Sequence, residues 1–444
     1  MLRLLARSPR PIFRPAAGQP RWMRCWAAAP RLLGSARFSS ASSGSSPPSP
    51  PASPLFPRDA GELPLHDGDI RRRRRVLILC TGGTLTMAPS ADMGGGLAPV
   101  PGALTRWVNE DLEELQHPSM PEVVVHEYDP LMDSSDMGPE QWTRLALDIS
   151  RNYLHFDGFV VATGTDTMAY AASALAFMLE NLGKPVILTG SQIPLSQPFN
   201  DARRNFLMAV IFASRDTICE VAIFFNDQLL RGCRTTKLNT HHLAAFDSPN
   251  LPPLARVGVA IEEASWLTLP QARGALRVHR GMDTRLLVMR LVPGFDDAVL
   301  RAAFTSAEGS GLRALVLQLY GMGNLPSGKR SLLSTLAEAT DRGILVVVTT
   351  QCLTGSVVLG KYAVGRELEA LGVISAGDMT LEATAAKLAY LFGRGDLNAS
   401  EVGRLLPVPL RGEVTPGAAY ARTSAEAGMV HSDAVFAALA KASG

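Results

Sequence analysis

The sequence predicts an α/β protein of two domains, each built on a parallel sheet, with a larger N-terminal domain that carries the functional loops and a smaller C-terminal one. Three observations predict it. The chain has 444 residues and is 46% hydrophobic, enough for a sizeable core and for more than one domain. From residue 76 onward, short β-branched runs alternate with helical patterns, as βαβ units require. A polar, less regular stretch near residues 265 to 283 divides that alternation into two series.

The start of the chain stands apart from both series. Its first fifty residues hold eight arginines (Arg3, Arg7, Arg10, Arg14, Arg21, Arg24, Arg31 and Arg37) and no lysine, and the first carboxylate is Asp59. An Arg-rich, Ser-rich, acid-free segment with Trp22, Trp26 and Leu32 at apolar positions has the composition of an organelle transit peptide. Residues 1–42 are accordingly expected to be a mitochondrial presequence processed near Ala36 to Ser42, with a plastid presequence or a disordered tail as the alternatives. Residues 43–75 read as a Ser/Pro/Arg-rich linker, too poor in apolar residues to pack. Its Arg71 to Arg75 run abuts the first strand and reads as a solvated lead-in.

Without the arginine-rich start, 35 of the 43 basic residues remain against 41 acidic ones, which gives no support to a nucleic-acid partner. No apolar run approaches the ~20 residues of a membrane span, so no membrane partner is expected either. The five cysteines (Cys25, Cys80, Cys219, Cys233, Cys352) lack paired metal-ligand spacing and read as reduced, mostly buried thiols.

The N-terminal domain, expected over 76–270, opens with VLILC (76–80). EVVVHEY (122–128), GFVVAT (158–163), PVILTG (185–190) and VAIFF (221–225) follow as strands, with helices over PEQWTRLALDISRNYL (139–154) and MAYAASALAFMLENLG (168–183). The C-terminal domain, expected over 283–444, has strands LLVMRL (286–291), ALVLQLY (314–320) and ILVVVTT (344–350). Helices SLLSTLAEATDRG (331–343) and TLEATAAKLAYLF (380–392) interleave with them, and a last helical stretch, residues 424–443, is expected to pack on this domain.

Ligands of open α/β sheets collect beyond the C-terminal strand ends, so the loops there carry the function. They read Thr81-Gly82-Gly83-Thr84, Asp133-Ser134-Ser135-Asp136, Thr163-Gly164-Thr165-Asp166-Thr167 and Arg234-Thr235-Thr236-Lys237. Hydroxyls, a few carboxylates and one lysine suit acyl transfer by a threonine better than metal or redox chemistry. A threonine hydroxyl is a weak nucleophile and needs a base; a lysine can take the proton while a carboxylate holds the ammonium. Glycines beside the hydroxyl let backbone N–H groups reach a substrate carbonyl. Taken singly, TGGT is a tight turn, Asp166 or Thr167 a helix cap, Ser-Ser-Asp an ordinary helix start and Lys237 a surface lysine. Their combination points to a hydrolytic site.

That combination resembles the bacterial-type L-asparaginases. TGGTL (81–85) and GFVVATGTDTMAYAA (158–172) match the family's two signatures, and the likeness runs from about residue 74 to residue 416. It includes LMDSSDM (131–137), PVILTGSQIPL (185–195), FFNDQLLRGCRTTK (224–237), AFDSPNLPPL (245–254), YGMGNLP (320–326), TTQCLTGSV (349–357), GDMTLEATAAKLAYL (377–391) and LRGEVTP (410–416). The later motifs look like the type I, cytosolic branch.

The resemblance implies an amidohydrolase that turns L-asparagine into L-aspartate and ammonia, with L-glutamine left open as a second substrate, without cofactor or metal, as a homodimer or homotetramer. It implies Thr84 as nucleophile and Thr165, Asp166 and Lys237 as a second catalytic cluster. Ser134, Ser135 and Asp166 would bind the substrate's α-carboxylate and α-amino groups, and Asn324 would approach a neighbouring subunit's site. Cys352, beside Gln351, matches part of a regulatory site; a plain buried thiol is the other reading.

One position departs from the pattern. The family places a tyrosine in the loop after the first strand, where this chain has MAPSADMGGGLAPVPG with Leu97 at that point. The glycines Gly94 to Gly96 still suit a flexible lid. The departure keeps open a catalytically weak asparagine- or aspartate-binding regulatory protein; an ammonia-donating amidotransferase subunit, whose catalytic module resembles this family, is a further alternative.

Overall fold

The computed structural model describes residues 73–90, 95–305, 311–326 and 328–419. The expected presequence, nearly all of the linker, Gly94 and the stretch 424–443 lie outside the described residues.

Strand β1, Arg75–Cys80, is fully buried from Val76 to Cys80, as a central strand covered on both faces must be. Beyond it a small antiparallel hairpin, β2 (Met87–Pro89) with β3 (Leu97–Pro99), leads to helix α1 (Ala103–Glu110) and strand β4 (Glu122–Glu127). Helix α2, Pro139–Asn152, starts on a proline, and the Gly138 N–H donates to Gln141 Oε1 at 3.0 Å. Strand β5 (Gly158–Ala162) leads through the third loop into α3 (Met168–Met178), which is buried along nearly its whole length.

The helix expected to run to residue 183 stops at Met178. Leu179–Glu180 leave it as a short strand, β6, which later pairs antiparallel with β14. The chain continues through β7 (Val186–Thr189), α4 (Ala202–Ala213), β8 (Val221–Phe225) and β9 (Gln228–Arg231). Asn226 and Asp227, with φ of 45° and 63°, form the two-residue turn between β8 and β9. Then come β10 (Thr236–Lys237), β11 (Phe246–Asp247), β12 (Ala255–Val257), β13 (Ile261–Glu263) and β14 (Arg277–Val278).

The main sheet has eight strands in the order β13-β12-β9-β8-β7-β5-β1-β4; pairing is parallel from β8 to β4 and antiparallel from β8 outward to β13. Alternation along β1 sends Leu77 and Leu79 to one face, with α2 and α3, and Val76, Ile78 and Cys80 to the other, with α1 and α4. All five strands expected in this domain are present.

The second sheet is parallel, in the order β15-β16-β17-β18, from Leu286–Arg290, Ala314–Leu319, Leu345–Thr350 and Ile374–Ser375. Helices α5 (Asp297–Thr305), α6 (Arg330–Asp341), α7 (Ala363–Ala370), α8 (Leu381–Gly393) and α9 (Ala399–Leu405) surround it. Helix α8 lies against α3, with Phe177 stacked on Tyr390 at 5.7 Å, so one hydrophobic core runs from the main sheet into the second. The match to two-domain α/β architecture is complete at the level of layers.

Candidate active site

The first loop answers why a buried strand runs into two glycines. Gly82 and Gly83 take φ of 120° and 87°, conformations that cost a residue with a Cβ one or more kcal/mol, about 1–3 by the usual scale. A Cβ on Gly83 would sit 2.3 Å from both N and Cα of Gly164, and one on Gly164 would sit 2.6 Å from Ser134 Oγ. The first, second and third loops therefore stack at positions where no side chain fits. Thr81 ties two of them together, its N–H donating to Ala162 O at 2.9 Å and its Oγ1 to Thr163 Oγ1 at 2.9 Å.

Thr84 opens a short 3-10 turn, Thr84–Thr86, closed by the Thr86 N–H and Oγ1 on Gly83 O at 3.0 and 3.1 Å. It is half-buried, and among the described residues its hydroxyl has no hydrogen-bond partner. Leu97 lies across the hairpin from Pro89 and is 43% exposed, so its side chain makes no substitute for a tyrosine hydroxyl.

In the second loop the Asp133 carboxylate accepts from the Ser135 N–H at 2.9 Å and so caps the turn Ser134–Asp136. Ser134 is buried against Gly164, whereas Ser135 and Asp136 are exposed. In the third loop Thr165 is buried and Asp166 is exposed. Neither Asp166 nor Thr167 caps α3 with its side chain, contrary to the single-loop expectation. Thr167 is the N-cap residue, but its Oγ1 donates at 2.5 Å to Ser134 O, a bond that fastens the second loop to the third.

Lys237 completes the set from the fourth loop. Its Nζ donates to Thr165 Oγ1 and to Asp166 Oδ1, both at 2.7 Å, and its side chain is 16% exposed, so it is no ordinary surface lysine. The strand that carries it is held by the second domain. Arg234 is buried and bonds Asp378 Oδ2 at 2.9 Å, Gly412 O at 2.7 Å and Thr415 Oγ1 at 3.1 Å. Thr236 Oγ1 donates to Glu382 Oε1 at 2.6 Å. A lysine whose preceding residues are held by such bonds loses little entropy when it engages a ligand.

Two expected residues lie apart from this cluster. Asn324 is exposed, its backbone bridged to Tyr320 at 2.8 and 3.0 Å, and among the described residues it has no bond to the four loops. Cys352 is exposed, which corrects the buried-thiol reading: its N–H is held by Thr350 Oγ1 at 3.0 Å while the neighbouring Gln351 amide turns inward to Leu291 O and Gln318 O at 2.6 and 2.9 Å. Cys80, Cys219 and Cys233 are buried as expected, and burial pushes the Cys80 and Cys233 thiols up to about 12.

Sequence reasoning missed Gln192, which lies beside Thr165, and the Asp378 and Glu382 carboxylates. All three fall inside quoted motifs, but nothing in one sequence tells a buried bracing residue from a solvated one.

Residues 75–268 match the asparaginase N-terminal domain, and residues 285–406 match the glutaminase/asparaginase C-terminal domain. The chain belongs to the asparaginase family. It is 45% identical over 345 residues to L-asparaginase 1 of Escherichia coli K12, an alignment that covers 78% of this chain and 99% of that one. It is 40% identical over 361 residues to the 60 kDa lysophospholipase of Mus musculus, covering 77% of this chain and 63% of that protein. The crystal structure of L-asparaginase I from Vibrio cholerae superposes with a TM-score of 0.70 at 42% identity, over 77% of this chain and 99% of that one. The four loops thus belong to an asparaginase whose two domains are both present.

Proposed function

We propose that this asparaginase hydrolyses the side-chain amide of L-asparagine to L-aspartate and ammonia. The observation that carries the reading is the Lys237 ammonium, 2.7 Å from both Thr165 Oγ1 and Asp166 Oδ1, beside a loop that presents the unengaged Thr84 hydroxyl. In the first half-reaction Thr84 Oγ attacks the amide carbon; the C–N bond breaks, the threonine proton leaves with the nitrogen as ammonia, and a β-aspartyl ester remains. In the second, water adds to the ester, and the Thr84 hydroxyl and the new carboxylate are released. Thr165 and Lys237 move the protons in both halves, with Asp166 holding the lysine. Backbone N–H groups near Gly82 and Gly83 face the developing oxyanion.

Ser134, Ser135 and Asp166 hold the α-groups of the substrate, and L-glutamine, one methylene longer, is the slower substrate by the roughly 10–200-fold that a methylene commonly decides. Activity proceeds with Leu97 in place of a loop tyrosine. The working enzyme is a homo-oligomer in which Asn324 reaches a neighbouring copy's site, and Cys352 marks a regulatory surface. The arginine-rich, acid-free first 42 residues support delivery to a mitochondrion.

The test is ammonia release from L-asparagine and L-glutamine over a wide concentration range. Turnover of asparagine in preference to glutamine is expected. Binding of aspartate, seen as a thermal shift, with no ammonia from either amide would overturn the reading in favour of a binding protein.

A further inference from the structure

We propose that Gln192 is a positioning residue of this active site, fixing the direction of the Thr165 hydroxyl and bracing the loop that follows Lys237. The inference rests on the catalytic reading given above for Thr165 and Lys237 and adds to it a residue from a separate loop.

A threonine hydroxyl has one proton to give and two lone pairs to receive with. At Thr165 one lone pair is taken by the Lys237 ammonium at 2.7 Å, since an ammonium can donate but not accept. The single proton of Thr165 must then point elsewhere, and Gln192 Oε1 stands 3.4 Å away to receive it. The orientation of the Gln192 amide is fixed from its other end. Nε2 faces two backbone carbonyls, Asn239 O at 3.5 Å and His242 O at 3.4 Å, and a carbonyl can only accept. The oxygen is therefore the end that faces Thr165.

These side-chain contacts are longer than the ordinary hydrogen-bond distance, as catalytic contacts commonly are before a ligand draws them in. What makes Gln192 more than a neighbour is how firmly its backbone is placed. Its N–H lies 3.1 Å from both carboxylate oxygens of Asp201, and the Ile193 N–H lies 3.0 Å from Asp201 Oδ1. Asp201 is itself braced by Asn205 Nδ2 at 3.1 Å, and the same Nδ2 donates to Gly190 O at 3.1 Å. Asn205 is 2% exposed and Asp201 9%, so this is a buried bracket with its polar groups matched. The bracket delivers one flexible amide to the point between Thr165 and the segment after Lys237.

The chemical consequence concerns the proton on the Thr165–Lys237 pair. With Lys237 as ammonium, the Thr165 proton is directed to Gln192. As an amine, Nζ keeps two N–H donors and gains a lone pair, so Thr165 is then free to turn its own proton from Gln192 toward Nζ. Gln192 thereby weights the balance between the two states, without touching the amide being cleaved.

The experiment compares the wild-type chain with Gln192→Glu and Gln192→Met, reading kcat, KM and the pH dependence of kcat for asparagine. Gln192→Glu keeps an acceptor for Thr165 but sets a negative charge next to the pair, which favours the ammonium. Its kcat profile is expected to move to higher pH by about one unit. Gln192→Met keeps the length and removes the acceptor, and is expected to lower kcat about tenfold, with KM changed by no more than about threefold. Wild-type kcat and an unshifted profile in both variants would overturn the proposal. So would a lower thermal midpoint with an unshifted profile in Gln192→Glu, since that is what a bracing role alone predicts. Lys237→Met serves as the parallel control: if it keeps full ammonia release, the parent reading of the site has failed, whatever the Gln192 variants do.

Discussion

At the scale of single residues, Lys237 makes the most constrained contact of the site, two bonds of 2.7 Å to side chains of one loop. Replacing it with methionine keeps the bulk and removes the proton carrier. We expect Lys237→Met to lower kcat by about 10²–10⁴, with a smaller change in KM, measured by ammonia release. Gly83 makes a second prediction, of a steric kind. Its Cβ would fall 2.3 Å from the Gly164 backbone, and its φ of 87° is costly for alanine, so Gly83→Ala should force the first and third loops apart. Activity is expected to fall at least as far as in Lys237→Met, with a lower thermal midpoint. Thr84, Thr165, Asp166 and Lys237 could be read from the sequence because each lies beside a strand end in a glycine- or hydroxyl-rich loop. Gln192 could not, since its role depends on the Asp201 carboxylate nine residues on and on carbonyls of a loop that begins after residue 237.

At the scale of elements, the two-residue strand β10 is too short to hold a catalytic lysine by its own hydrogen bonds. It is pinned instead by Arg234 on Asp378 and by Thr236 on Glu382, so the second domain sets the position of a first-domain lysine. Asp378→Ala leaves the Arg234 charge buried without its partner, a change that costs roughly 3–5 kcal/mol in comparable buried pairs. A thermal midpoint lower by several degrees and a reduced kcat are both expected; calorimetry and ammonia release would measure them. The parallel strands were legible because they are fully buried and read as unbroken apolar runs. The short ones were not. Strand β9 follows an Asn-Asp turn that lacks the glycine marking most two-residue hairpins, and β6 ends an apolar helical pattern because Leu179 pairs with Val278, about a hundred residues away. Periodicity carries no information about such a partner.

At the scale of the whole molecule, buried acidic groups set a limit on alkaline stability. Burial pushes Cys80, Cys233 and Tyr390 up to about 12, with Glu127, Glu413 and a bond to Glu180 respectively adding to the effect. The unfolded chain releases these protons near pH 9 to 10 by ordinary values, about three units and two units earlier, so it binds fewer protons than the folded chain across that window. Stability is therefore expected to be full below about pH 9 and to fall as pH rises toward 12, and urea midpoints recorded from about pH 8 to pH 11 should decline. Cys233→Ala should flatten the decline; an unchanged slope would contradict the assignment. The plan of both domains, a sheet with helices on its faces, was legible from the alternation of strand and helix, whereas the shared core between α3 and α8 was not, because an all-apolar helix does not say which layer covers it. The central claim is that Thr84 is the nucleophile, and the direct test is to quench the enzyme with acid during turnover of asparagine and locate any aspartyl ester by peptide mass spectrometry. The account predicts an ester on Thr84 that is absent from Thr84→Val, whereas an ester on Thr165, or undiminished ammonia release by Thr84→Val, would contradict it.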